Sequence, residues 1–318
     1  MRKRGLYSIL TVVILMLLSA CNQEDTLNGD WTYQGPVPAI TNGPTEAHKL
    51  CYALYQKYDL HVYWDLAGSE ALKLDFGNAS ATAISSNNAA AIPIQPAAEI
   101  TAEKFLKLLT GFFALLPDEM VKANLYRRQI LVKVNPGKNT YVNEKGERYF
   151  VNTHTGNQYG YLFYGYLANN TDLSGDKFDT ELYGWKWNIC YQFFRGFFSY
   201  GFKNFSAPET YGLVSKGYYA GEVPTTQRCL NGTTFNSALG GTQGFIHPFA
   251  AEASTFDRCE QDWSATLASL ITMPQAELNV ILTTYPKIAQ KAGLIKAFLM
   301  EHHGIDMEEL ADEWRVEN

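Results

Sequence analysis

Midway along the chain stands the stretch Asn188-Ile189-Cys190-Tyr191-Gln192-Phe193-Phe194-Arg195, aromatic and helical in character, with a phenol, an amide and a guanidinium inside five residues. Residues at i and i+4 share a helix face, so Tyr191 and Arg195 can address one point in space. The chemistry open to them is narrow. Arg195 stays protonated and presents only donors, so it gives no lone pair to a metal. Gln192 has the shape of a Glu but no proton affinity near neutral pH, which removes it as a general base. Tyr191 could ligate as a phenolate, yet with an ordinary pKa of about 10 it needs a metal already held by others.

Other residues with chemical potential are scattered. His302, His303 and Asp306 have ligand-like spacing, but they straddle Gly304 at a helix end, where cationic side chains are favoured by the terminal carbonyls. His247 reads as a surface-loop residue, and His48, His61 and His154 have no visible partners. Beyond Cys21 four cysteines remain, Cys51, Cys190, Cys229 and Cys259. In an exported protein an even count allows two disulfides in three connectivities, while their scatter fits buried thiols equally well.

The elements that must position these groups follow from periodicity. Leu50, Leu54 and Tyr58 predict a helix over 46–58, followed by an extended piece at 60–66. A second helix shows Phe105, Leu108, Leu109, Phe112, Phe113 and Leu116 on one face, with Thr101 as its expected N-cap. Helix is expected to resume after Pro117 through Leu125. Strands are expected at 127–134, 148–153 and 159–167, a central helix over 181–203, and four more helices between Asp262 and Arg315, divided by Pro274, Pro286 and Gly304. Residues 77–97 carry few bulky side chains and read as a long loop. This order predicts an α+β chain with a small sheet rather than an alternating parallel α/β one.

The first residues, MRKRGLYSILTVVILMLLSAC, combine a basic start, a short apolar run and Leu-Ser-Ala-Cys, the pattern of a bacterial lipoprotein signal cut before an acylated Cys21. The expected organisation is a signal peptide over 1–20, a polar tether over 21–43 and one domain over 44–318. Removing residues 1–20 takes away three positive charges and leaves a net charge of −9, which argues against nucleic acid as a partner. Most of the 20 Tyr, 18 Phe and 6 Trp fall at core spacing, so they read as packing residues.

Several stretches, taken in order, carry a likeness: YDLHVYWDLAGSE at 58–70, KGYYAGEV at 216–223, GFIHPFA at 244–250 and HHGIDMEEL at 302–310. Together they resemble the zinc-binding metallopeptidase lipoproteins of Bacteroidetes, which are encoded beside outer-membrane nutrient importers. The resemblance implies a gluzincin-like fold whose central helix bears His-Glu-x-x-His; here those positions read Tyr191-Gln192-Phe193-Phe194-Arg195. It implies a third ligand, a Glu, where Asp262-Trp263-Ser264-Ala265 places Ala265; a shifted alignment would use Glu260. The family's zinc would then have no site in this chain. Glu252, Asp257 and Glu260 lie in the segment that the family folds over this site, so any of them could partner Arg195. A disulfide from Cys259 to Cys229 or Cys190 would tie together parts that zinc coordinates in the family.

Glu24 and Asp25 behind Cys21 resemble the acidic signal that sends such lipoproteins to the cell exterior. The implied protein is a catalytically degenerate surface lipoprotein, a binding or accessory factor in nutrient uptake with a peptide or glycan ligand and importer proteins as partners. The alternatives are an active metallohydrolase with atypical ligands and a structural component of an importer.

Overall fold

Helix α1 (Glu46–Tyr58) begins where Thr45 accepts a hydrogen bond from His48 N and ends at Asp59, whose left-handed φ of 55° lets its N–H reach Tyr55 O. Its buried Ala47, Cys51, Leu54 and Tyr58 form the stripe that the spacing requires. The chain then enters strand β1 (His61–Tyr63). In this computed structural model the described residues are 39–66, 96–132, 139–143, 148–151, 153–156, 161–165, 182–197, 207–253 and 259–315. The signal and Cys21, all of the tether before residue 39, and nearly all of the expected 77–97 loop lie outside them.

Helix α2 (Glu99–Ala114) starts two residues before the expected Thr101 cap. Its N-cap is Ala98, which makes no side-chain bond, while the backbone bond from Ala97 N to Trp64 O at 2.7 Å fixes the entry. Thr101 is buried inside the first turn instead. Pro117 stops this run and caps α3 (Asp118–Asn124).

Among the described residues two four-stranded sheets follow, where a single small one was expected. In the first, β1, β2 (Arg128–Val132) and β6 (Tyr161–Gly165) run parallel, and β5 (Thr153–Gly156) closes the edge antiparallel to β6. The helices α2 and α3 supply the crossover that parallel β1 and β2 need. The second sheet pairs β3 (Asn139–Asn143) with β4 (Arg148–Val151), and joins β3 to a short hairpin of β7 (Leu230–Asn231) and β8 (Thr234–Phe235). Those added strands are short and rich in Asn and Thr, and so too weakly patterned to read from sequence.

The central helix, α4 (Leu182–Gly196), is buried along nearly its whole length. Its expected extension to 203 falls almost wholly outside the described residues. Gly196 shows how tightly it is held: a Cβ there would lie 2.4 Å from the backbone oxygen of Asn124 at the end of α3, so only glycine permits this approach. Beyond it come α5 (Glu209–Val214), α6 (Ser237–Gln243) and α7 (Pro248–Ala251). Four longer helices follow among the described residues: α8 (Glu260–Thr272), α9 (Gln275–Thr284), α10 (Pro286–His303) and α11 (Met307–Trp314). Among the described residues no helix is long and apolar enough to cross a membrane.

Candidate functional site

Helices α4 and α8 form the centre of the molecule, and two side-chain contacts fix how they lie. The Trp187 Nε1–H donates to Ser269 Oγ at 2.9 Å, and the rings of Phe194 and Trp263 meet edge-on at 6.0 Å. Advancing along α4 therefore means retreating along α8, so the helices are antiparallel. Interpolating between the two contacts puts Ala265 across from Tyr191 and Gln192. Ala265 is fully buried, and its carbonyl accepts from Ser269 Oγ at 2.9 Å. Glu260 stands at the opening of α8, half-buried, more than a turn from that level.

Aromatic rings fill the space beside Tyr191. Trp187 stacks on Tyr191 with centroids 4.9 Å apart and on His247 at 4.1 Å, and Phe249 packs against Tyr191 at 5.5 Å. The expectation of a surface-loop His247 is corrected: the side chain is only 4% exposed. Its Nδ1 accepts from Phe249 N at 3.2 Å, capping the short α7, and Pro248 occupies the first helical position. An acceptor Nδ1 requires the neutral Nε2–H tautomer. Burial pushes the imidazole pKa down to about 3, so the ring stays uncharged.

Tyr191 is held as a phenol. Burial pushes its pKa up to about 12; the neighbouring Arg195, which shares a hydrogen bond with it, pulls the other way, while the Glu252 carboxylate raises it further. Of the three carboxylates considered for Arg195, Glu252 thus comes into this neighbourhood, where its Oε2 also accepts from Gln261 Nε2 at 3.2 Å. Asp257 lies outside the described residues. Gln192 is buried beside Tyr191.

These groups do not fit a zinc ion. The phenol keeps its proton, the guanidinium offers only donors, and Ala265 has no donor atom. Among the described residues no group of three His, Cys, Asp or Glu side chains could hold a metal. His302 packs on the Phe298 ring at 4.5 Å, and Asp306 caps α11 by accepting from Glu308 N at 2.8 Å.

The cysteines are corrected as well. Cys190, Cys229 and Cys259, like Cys51, are free thiols buried in the protein, so neither expected bridge from Cys259 is formed. Burial raises the pKa of Cys229 and Cys259 to about 12 and that of Cys190 well above its ordinary value, which keeps them protonated and unreactive.

Sequence reasoning missed a fully buried polar cluster. Asp262 and Lys291 are both fully buried, with Nζ 2.5 Å from Oδ2. Tyr219 OH donates to Asp262 Oδ2 at 2.9 Å, while Tyr211 OH and Thr266 Oγ1 each donate to Oδ1 at 3.1 Å. Lys291 also donates to Gly244 O at 2.8 Å and lies over the Phe245 ring at 4.7 Å. One ion pair thereby joins α5, α8, α10 and the loop that leads to His247.

No known family profile matches the sequence, and no curated protein matches it. A search of solved structures finds a crystal structure from Bacteroides caccae described as a "putative zinc-binding metallo-peptidase". The two share 14% identity with a TM-score of 0.54, over 86% of this chain and 94% of the other. At that identity the likeness establishes the fold: a mixed helical structure with small sheets, metallopeptidase-like in architecture.

Proposed function

We propose that this chain is a catalytically degenerate relative of zinc metallopeptidases that serves as a binding or accessory lipoprotein in nutrient uptake, with a gluzincin-like arrangement of its core helices. The supporting observation is the packing where α4 and α8 face each other. A protonated phenol, an amide, a guanidinium and a methyl group stand at the positions that the resemblance aligns with His, Glu, His and Glu. Trp187 and Phe249 pack on Tyr191, and His247 stacks on Trp187. A zinc hydrolase needs an open position for a metal-bound water and its substrate; here the first motif position, Tyr191, is packed between the Trp187 and Phe249 rings. Zinc content of the purified protein tests this reading, and stoichiometric zinc would defeat it.

Anchoring is the second part of the proposal. Acyl chains on Cys21 would hold the body at the outer membrane facing the exterior, since more than one chain gives stable attachment. The Cys21→Ser variant, which removes the acylated thiol, is expected to move the protein from the membrane to the soluble fraction on cell fractionation. Unchanged membrane association would refute the anchor.

A further inference from the structure

An open cleft of about 370 Å³ lies at the C-terminal end of α1, lined by Tyr55, Gln56, Lys57, Asp59, Lys122 and Arg127, none of them a motif residue. Its volume is in the range of small-ligand sites. Three cations and one carboxylate line it, on a chain whose net charge is −6.

Each cation already has a carboxylate partner, Asp118, Glu119 or Asp59, but all three pairs are open to solvent. Arg127 uses Nη1 for the fold, donating to Tyr58 O at 3.1 Å and Asp59 Oδ2 at 3.2 Å, and its Nε and Nη2 make no hydrogen bond among the described residues. That rigid hold on one nitrogen leaves a preoriented pair of donors, the geometry that matches a carboxylate. Lys57 meets Asp118 at 2.9 Å and Lys122 meets Glu119 at 3.3 Å, both on the rim and both half-exposed. Exposed pairs of this kind are worth about 0–1 kcal/mol, so an incoming anion can share either ammonium. The half-buried Tyr55, whose ring meets His61 edge-on at 4.9 Å, brings an aromatic side chain to the lining. Gln56 and Asp59 add acceptors for hydroxyls.

We propose that this cleft binds an acidic saccharide, with a uronate carboxylate on Arg127, flanked by Lys57 and Lys122, and the sugar ring against Tyr55. The proposal rests on the binding role suggested above, and not on the loss of catalysis. Titration of trigalacturonate into the mature protein, followed by calorimetry, tests it, with neutral galactotriose as control. Saturable binding of the acid but not of the neutral sugar is expected, weakening as salt is raised. Arg127→Gln and Lys122→Gln should each lower affinity by about tenfold, the loss of roughly one charge-assisted contact. Lys122 holds only a surface pair, so its variant keeps the fold even if Arg127→Gln disturbs the α1 terminus. No saturable binding, equal binding of the neutral sugar, or affinity unchanged in the Lys122 variant would overturn the proposal. Zinc content would be unaffected by any of these outcomes, so the two readings fail separately.

Discussion

Lys291→Met is expected to destabilise the protein by about 3–5 kcal/mol, because it leaves a buried carboxylate without its counter-charge. Asp262 would keep its hydroxyl donors from Tyr211, Tyr219 and Thr266, but both it and the lysine are wholly shielded from water. Methionine nearly preserves volume, so a cavity contributes little to the loss. Lys291 itself sits in a divided environment: burial lowers its pKa, and Asp262 pulls it back up. Adding Asp262→Leu to Lys291→Met should restore part of the loss by removing the orphan charge, and only part: Tyr219 OH then loses its acceptor, while Tyr211 OH keeps Thr266 Oγ1 at 3.0 Å. Urea unfolding measures both variants. A cost under about 1 kcal/mol for Lys291→Met would mean that the ion pair is not the buried tie described above.

His247 should make the protein sensitive to acid. The folded pKa of about 3 lies below the ordinary value of 6.5, so the unfolded chain takes up a proton that the folded chain refuses. Its stabilising contribution is therefore complete above pH 6.5 and is lost progressively as pH falls toward 3. Each pH unit inside that window costs up to about 1.4 kcal/mol, so roughly 2–3 kcal/mol disappears between neutrality and pH 4.5. His247→Asn keeps an acceptor for Phe249 N but does not titrate. Its stability should fall less steeply with acid than that of the parent, by about that same amount. Parallel curves for the two proteins would show that the imidazole titrates normally and is not sealed against Trp187.

The longer helices were legible because their apolar faces repeat at 3.6 residues, and Pro117, Pro274, Pro286 and Gly304 mark their ends; the short α5, α6 and α7 span two turns or fewer and show no such repeat. The weak strands were not, since β3 carries Asn at both ends and β7 and β8 have two residues each. A residue-level signal for Lys291 was present: it lies three residues after Ile288 and four before Ile295, on the buried stripe of α10. A lysine on such a stripe calls for a buried acid, but the sequence does not say that Asp262 supplies it. His247 was hidden differently. Its burial depends on Trp187 and Tyr191, more than fifty residues away, and no local pattern reports a ring stack across the core. Tyr191, Gln192 and Arg195 could be judged chemically from sequence, because donor capacity belongs to the residue type. Which groups surround them could not.

Zinc analysis of the mature protein, purified without chelator and then dialysed against zinc, decides whether the α4–α8 interface holds a metal. Well under one equivalent should bind, unchanged in Tyr191→Phe and Glu260→Ala, with no zinc-dependent hydrolysis of peptides. One equivalent of tightly held zinc, lost in either variant, would contradict this expectation and restore a working metal centre to the α4–α8 interface.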